Sequence, residues 1–130
     1  MDQQETPKRT KRYIVPSGAT FRHALRGIGV LLRTQANARF HCLASLLVLG
    51  MGCFFEITAH EWIAIALAIG LVWACETINT SIEMLADVVV PTFHPGIRNV
   101  KDVAAGAVLL ASLTALATGC LVFWPYIFRP

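Results

Sequence analysis

Apolar and polar residues occur along this chain in long blocks. Three apolar segments cover residues 40–55, 62–85 and 103–124. The third segment holds 22 residues without a charge, and a helix needs about 20 to cross the hydrocarbon core of a bilayer. The first holds 16 uncharged residues and includes His41, so we expect residues on either side to complete it. The pattern predicts three membrane-spanning helices at about residues 38–57, 61–87 and 102–124.

A different pattern precedes the first apolar segment. Between residues 19 and 36 apolar side chains recur at helical spacing, and three arginines fall largely on the other face. The apolar set is Phe21, Ala24, Leu25, Ile28, Leu31 and Leu32, and the arginines are Arg22, Arg26 and Arg33. Such a helix suits the membrane interface, while packing against the spanning helices is the alternative. Residues 1–18 are polar and basic and contain two prolines, so we expect a loosely attached tail there.

Composition and charge agree with a membrane protein. Hydrophobic residues make up 55% of the chain, compared with about 45 to 50% in soluble domains, and mean hydropathy is +0.58. Eight of the eleven Lys and Arg residues precede the first apolar segment, and two lie between the second and the third. Because these residues are enriched in cytoplasmic loops, we expect the N-terminus and a loop at 88–101 in the cytoplasm, and the C-terminus outside.

The predicted fold class is therefore an all-α integral membrane protein, with one domain at residues 19–130. The basic residues serve as a topology signal, and we do not expect nucleic-acid binding. The four cysteines lie in apolar segments without a C-x-x-C pair, which indicates buried free thiols. The third segment has small residues at every fourth position, a pattern that favours close helix packing. These small residues are Ala107, Ala111, Ala115 and Gly119.

The end of the second apolar segment carries a group of carboxylates. On a helix that turns about 100° per residue, Glu76, Thr80, Glu83 and Asp87 lie within roughly 60° of one another, and Asn79 lies to one side. Ionisable groups at membrane depth cost roughly 2.5 to 3.5 kcal/mol each, so such a cluster points to function. The pattern predicts a polar stripe that begins inside the bilayer and opens to the cytoplasm.

The residue types in this stripe suit phosphoryl transfer. Oxygen ligands such as Asn79, Glu83 and Asp87 fit Mg²⁺, which takes one or two carboxylates together with phosphate oxygens and water. A desolvated Glu76 can act as a general base toward a membrane alcohol. Lys101, at the start of the third predicted span, can neutralise phosphate charge, and we expect Asp102 to orient it. No Gly-rich phosphate loop of the known kinase types is present in the sequence.

The run Glu76-x-x-Asn79-Thr80-x-x-Glu83, followed by Asp87 and Lys101-Asp102, resembles the bacterial membrane diacylglycerol kinases and the related undecaprenol kinases. The resemblance covers about residues 20–124. The sequences at 21–28 and 37–41 are more similar to the undecaprenol kinases. The resemblance implies a homotrimer with shared active sites, three spans and a surface helix per subunit, in the bacterial inner (cytoplasmic) membrane.

The resemblance also implies residue roles. Glu76 would be the general base, Glu83 a Mg²⁺ ligand, and Asn79 and Lys101 would bind the phosphates of ATP. Asp87 and Asp102 would support metal and nucleotide, and the loop at His94-Pro95 would hold the adenine. The position of a second metal-binding glutamate in the diacylglycerol kinases is occupied here by Gln35. An amide oxygen still ligates Mg²⁺, although with less charge attraction.

We therefore expect an ATP-dependent lipid kinase that converts diacylglycerol to phosphatidic acid. An undecaprenol kinase that makes undecaprenyl phosphate is the alternative, because the sequence says little about the acceptor lipid. A small ion or proton transporter subunit is the alternative of another class, since carboxylates within a membrane also mark ion pathways. An inactive scaffold of the same fold is a third reading, based on Gln35.

Overall fold

The computed structural model of the chain describes residues 17–128 as four α-helices. They are α1 (Ser17–Thr34), α2 (Ala36–Phe54), α3 (Ala59–Val89) and α4 (Pro95–Phe128). Most of the predicted tail, residues 1–16, lies outside the described residues, while positions 17 and 18 already belong to α1. Within the described range the fold is entirely helical, as the hydrophobic pattern predicts.

Three of these helices are long and apolar enough to cross a membrane, which confirms the predicted number of spans. They are α2, α3 and α4, of 19, 31 and 34 residues. At about 1.5 Å of rise per residue, α3 and α4 are both longer than the roughly 30 Å hydrocarbon core. Their polar ends therefore extend beyond the apolar part of each span.

Helix α1 is separated from α2 by a single extended residue. Gln35 has φ −106° and ψ 122°, and its side chain does not cap α2. The helix contacts the spanning helices near its C-terminal end, where Leu31 is buried. Its other large apolar side chains remain exposed, with Phe21 at 68% and Leu25 at 53%. The placement of this face in a membrane interface stays a prediction.

The connection between α2 and α3 is a tight turn. Glu56 has a φ of 51°, in the left-handed region, and Thr58 begins α3 with a capping box in which Glu61 is the third helical residue. This arrangement gives partners to backbone N–H groups that a helix start leaves unpaired. Gly52 allows the ring of Trp62 to approach the backbone of α2, since a Cβ at position 52 would lie 2.7 Å from that ring. The turn fixes α2 and α3 as antiparallel neighbours.

Helices α3 and α4 form an antiparallel hairpin that is tied at both ends. Tyr126 donates a hydrogen bond of 2.8 Å to Glu61 near the α2–α3 turn. At the opposite end Lys101 forms an ion pair with Asp87. The apolar core of buried residues lies toward the Tyr126 end and comprises Ile57, Ile65, Val122 and Phe123.

The predicted loop at 88–101 is wrong in its extent. Helix α3 ends at Val89 and α4 begins at Pro95, so the connection is only residues 90–94. Proline is well tolerated in the first turn of a helix because its missing N–H would be unpaired there anyway. Pro95 thus begins α4 rather than belonging to a loop, and Arg98 and Lys101 lie on its first turns.

The four cysteines are free, as predicted, but they are not all buried within the chain. Cys53 and Cys120 are exposed, and Cys42 and Cys75 are half-buried. Of the small residues on α4, Ala111 is buried, whereas Ala115 and Gly119 line a cleft that is described below. Ala111 therefore allows close packing, whereas the small side chains of Ala115 and Gly119 leave space for the cleft.

Candidate active site

Glu76 lies in the middle of α3 and is almost completely buried, with 1% of its surface exposed. Its Oε2 atom has no hydrogen-bond partner among the described residues. The ionisable residues in its neighbourhood are His41 of α2 and Glu83 of α3. A buried polar group without a partner is unfavourable for stability, so it commonly indicates a function or a ligand. Glu76 thus has the surroundings expected for a catalytic base.

Asn79 and Glu83 lie one helical turn apart on α3 and contact each other. Asn79 is 6% exposed, and its Nδ2 donates a hydrogen bond of 3.0 Å to Oε1 of Glu83. The amide oxygen Oδ1 of Asn79 is buried and unpaired within the described range. The amide is therefore oriented with its nitrogen toward Glu83 and its acceptor oxygen free. Thr80, 4% exposed, also has a buried hydroxyl without a partner there.

Asp87, Lys101 and Asp102 form the outer part of the site, where α3 ends and α4 begins. Lys101 pairs with Asp87 across the two helices, and Asp102 pairs with Arg98 at 3.8 Å. The prediction that Asp102 orients Lys101 is therefore wrong, because the carboxylate that contacts Lys101 is that of Asp87. Adjacent residues on a helix point about 100° apart, whereas residues four apart lie on the same face. Asp102 consequently faces Arg98.

Gln35 is half-buried in the break between α1 and α2. Its backbone N–H bonds to the carbonyl of Leu31, and its own carbonyl accepts from Arg39. No side-chain hydrogen bond is recorded for it within residues 17–128. The structure thus places Gln35 where two helices meet but does not join its amide to Asn79 or Glu83.

The carboxylates do not form a ready-made metal cage. Among residues 17–128, no three His, Cys, Asp or Glu side chains are close enough together to hold a metal ion. Mg²⁺ does not need such a cage, because it keeps several waters and takes one or two carboxylates with substrate phosphates. Glu83 and the free oxygen of Asn79 match that donor set. They fit a Mg²⁺ ion that arrives with a phosphorylated substrate.

An apolar cleft of about 550 Å³ lies between α2, α3 and α4. Of the 16 residues that line it, only His41, Ser45 and Ser112 have polar side chains. On α3 the lining residues are Ile69 and Val72, and Glu76 follows at the next position of the same helical face. The cleft thus leads along α3 toward the buried carboxylate.

Helix α2 is held in register with α3 by Ser45 and Trp73. The indole Nε1 of Trp73 donates to the Ser45 hydroxyl at 3.2 Å, and that hydroxyl donates to the carbonyl of His41 at 2.7 Å. This arrangement brings His41, half-buried at the cleft, into the neighbourhood of Glu76. Sequence reasoning assigned His41 no role, although an ionisable residue within a span was the available signal.

The arrangement combines a base and a phosphate site with different surroundings. Glu76 lies on the face of α3 that lines the apolar cleft through Ile69 and Val72. The Asn79–Glu83 pair and Lys101 lie toward the α3–α4 loop, at the polar end of both helices. With about 1.5 Å of rise per residue, Glu76 and Glu83 are about 10 Å apart along the axis. The site can therefore bring a membrane alcohol and a phosphate donor together.

Comparisons with known proteins identify the family of this chain. The family model for prokaryotic diacylglycerol kinase matches residues 22–123. An undecaprenol kinase of Bacillus subtilis is 39% identical over 106 residues, covering 82% of this chain and 86% of the relative. A diacylglycerol kinase of Synechocystis is 34% identical over 82% of this chain and 62% of its own length. The diacylglycerol kinase of Escherichia coli K12 is 25% identical over 80% of this chain and 85% of its own.

These relatives bear out the family resemblance based on the polar stripe. All three are named as lipid kinases, and nothing among them supports the transporter alternative. The family match covers most of the chain and includes all four helices. The chain belongs to the prokaryotic diacylglycerol kinase family and is a membrane lipid kinase.

Proposed function

We propose that this protein transfers the γ-phosphate of Mg²⁺-bound ATP to the terminal hydroxyl of undecaprenol, forming undecaprenyl phosphate and ADP. The observation that carries the proposal is Glu76, which is buried, has an oxygen without a partner among the described residues, and lies on the face of α3 that lines an apolar cleft through Ile69 and Val72. Glu76 accepts the proton of the lipid hydroxyl as its oxygen bonds to the γ-phosphorus, and the bond from that phosphorus to ADP breaks. In this reaction the apolar cleft holds the lipid chain, and the carboxylate of Glu76 removes the proton from the lipid hydroxyl.

The residues near the α3–α4 loop bind the donor. Asn79 and Glu83 would hold Mg²⁺ together with phosphate oxygens, and Lys101 neutralises phosphate charge while Asp87 keeps it in place. Asp102 and Gln35 are assigned lesser parts, in nucleotide and metal binding, by the family resemblance. When bound, Mg²⁺ would supply charge stabilisation to the phosphate groups.

Undecaprenol is preferred over diacylglycerol for two reasons. The relative at 39% identity is named for undecaprenol, whereas those at 34% and 25% are named for diacylglycerol. Besides Ser112 and His41, the cleft also offers no free side-chain hydroxyl or ring donor for the ester carbonyls of diacylglycerol, because the Ser45 hydroxyl is already bonded to the backbone. A polyprenol has no polar group besides its hydroxyl. Diacylglycerol remains the second candidate, supported by the names of those two relatives.

The proposed orientation follows from the placement of basic residues, and the proposed assembly from the family resemblance. We assign a homotrimer in the bacterial inner membrane, with the N-terminus and the 90–94 loop in the cytoplasm and the C-terminus outside. The basic residues at the start of α2 and α4 support that orientation, because both helices begin at the same end of the bundle.

A side-by-side assay tests the acceptor. Purified protein in mixed micelles is given Mg-ATP and either undecaprenol or diacylglycerol at equal mole fraction, and labelled product is measured. We expect kcat/KM for undecaprenol to exceed that for diacylglycerol by at least about tenfold. Equal or better use of diacylglycerol would overturn the choice of acceptor, and labelling of neither lipid would overturn the proposed reaction.

A further inference from the structure

Ser112 of α4, like Thr80 of α3, differs from most hydroxyl residues of the described helices, because its buried hydroxyl has no hydrogen-bond partner there. A Ser or Thr within a helix commonly donates to the carbonyl four residues earlier, which satisfies its O–H in an apolar setting. Six side chains do so here: Thr34, Ser45, Thr77, Ser81, Thr114 and Thr118. The Oγ of Ser112 does not, although it is shielded from solvent. Its hydroxyl is therefore available to a ligand.

Two side-chain contacts between α3 and α4, one at each end of the hairpin, determine which residues of the two helices lie at the same depth. Lys101 of α4 is paired with Asp87 of α3. Ser112 lies eleven residues after Lys101, and Glu76 lies eleven residues before Asp87. In an antiparallel pair equal steps along both helices keep residues level. The second contact, between Tyr126 and Glu61, agrees with this register to within one residue. Ser112 is thus level with Glu76.

Ser112 also lines the end of the apolar cleft that points along α3 toward Glu76, although Glu76 itself is not a lining residue. Ser112 is the first α4 residue in its lining, and Glu76 continues the α3 face of Ile69 and Val72. His41 lines the same end from α2. Toward the other end the lining of α4 is apolar, as at Phe123 and Ile127. Among the buried side-chain oxygen and nitrogen atoms at this depth in the described helices, Glu76 Oε2 and Ser112 Oγ are the two without a partner.

Glu76 Oε2 and Ser112 Oγ have complementary hydrogen-bonding properties. A carboxylate oxygen accepts hydrogen bonds, and a serine hydroxyl with no acceptor still has a proton to donate. One alcohol group satisfies both, because it donates its own proton and accepts another through its oxygen. We propose that Ser112 is a positioning residue for the acceptor lipid, donating to the hydroxyl oxygen while that hydroxyl donates to Glu76.

This inference rests on the proposed function and deepens it, since it specifies an uncharged primary alcohol at the end of an apolar chain. Ser112 does not take part in proton transfer, because Glu76 receives the proton. Its effect is to hold the oxygen in place, which is a matter of lipid binding and orientation. The donor site near Asn79 and Lys101 does not involve it.

The test compares Ser112→Ala with two matched variants. Ser112→Thr keeps a hydroxyl at the same position, and Thr114→Ala removes one from the same helix that is exposed and already bonded to Leu110. Initial rates are measured with undecaprenol and with ATP varied separately. We expect Ser112→Ala to raise KM for the lipid roughly two- to tenfold, as for the loss of one hydrogen bond, with KM for ATP unchanged. Ser112→Thr and Thr114→Ala should stay within about twofold of the parent.

An unchanged lipid KM in Ser112→Ala, or an equal rise in Ser112→Ala and Ser112→Thr, would overturn the proposal. A rise in both KM values would also overturn it, because it would indicate a general disturbance of the helices. If Ser112→Ala does not fold, Ser112→Cys, with its weaker donor, should raise the lipid KM by a smaller amount, and no change would count against the proposal. Inactivity of the parent protein toward lipid alcohols would instead be a failure of the proposed function.

Discussion

Asn79 donates through Nδ2 to Oε1 of Glu83 over 3.0 Å, and this bond determines the direction of the whole amide. Because the nitrogen is engaged, the carbonyl oxygen Oδ1 is the end that remains buried and unpaired within the described helices. An amide oxygen and a carboxylate held together on one face of a helix form part of a hard-cation site. The bond therefore prepares Asn79 and Glu83 to bind the metal that accompanies the nucleotide.

Glu83→Gln should weaken Mg²⁺ binding without unfolding the protein. The variant keeps an oxygen and the contact with Asn79 but removes the negative charge, so we expect the half-saturating Mg²⁺ concentration to rise at least roughly tenfold. The measurement is kinase activity as a function of Mg²⁺ at fixed ATP. Glu56→Gln, in the α2–α3 turn, is the control and should behave like the parent. Equal Mg²⁺ dependence in both variants would remove Glu83 from the metal site.

Gln35→Glu should strengthen Mg²⁺ binding. If Gln35 is a weak ligand at the α1–α2 break, a carboxylate there adds charge attraction, and the half-saturating Mg²⁺ concentration should fall several-fold. The same Mg²⁺ titration checks this. A lack of effect would mean that position 35 does not reach the metal in this protein, and a complete loss of activity with intact folding would argue against any metal role.

Lys101→Gln should affect activity far more than stability. Its ion pair with Asp87 is partly exposed, and such pairs contribute only about 0 to 1 kcal/mol to folding. The loss of a phosphate contact should lower kcat/KM for ATP by roughly a hundredfold or more. Arg98→Gln is the matched control from the same turn of α4, and it should retain activity within about twofold. Similar losses in the two variants would show that only general positive charge matters here.

Gly52→Ala should destabilise the α2–α3 end of the bundle. The added Cβ would lie 2.7 Å from the ring of Trp62, and overpacking of this kind typically costs about 1 to 3 kcal/mol. Gly50→Ala is the control, because nothing lies within 4 Å of its added Cβ, and it should stabilise the helix by about 0.5 to 1 kcal/mol. Unfolding in detergent measures both variants. A stabilising effect of Gly52→Ala would contradict the tight contact with Trp62.

The sequence predicted the parts of this structure that depend on local pattern. Three apolar blocks became α2, α3 and α4, and the stripe from Glu76 to Glu83 lies on one helix, because helical periodicity is a local property. The extent of the α3–α4 loop was not predicted. Pro95 can end one helix or begin the next, and only its place after a five-residue turn decides between these.

The residues that sequence reasoning missed depend on contacts between helices. Ser112 is one serine in an alanine-rich span, and its level with Glu76 follows only from the pairing of Lys101 with Asp87. The same pairing reassigns the orientation of Lys101 from Asp102 to Asp87. The depth of His41 beside Glu76 depends on the bond between Ser45 and Trp73. Side-chain partners across helices have no periodic signature in a single sequence.

Glu76→Gln is the measurement that tests the central claim most directly. The substitution preserves shape and burial but removes the base, so transfer of labelled γ-phosphate from Mg-ATP to undecaprenol should fall by roughly 10²- to 10⁴-fold. Purified parent, Glu76→Gln and the Glu56→Gln control are compared in the same micelles, with folding checked by thermal unfolding. The account predicts labelled lipid phosphate with the parent and the control and almost none with Glu76→Gln. Near-normal lipid phosphorylation by Glu76→Gln would contradict it.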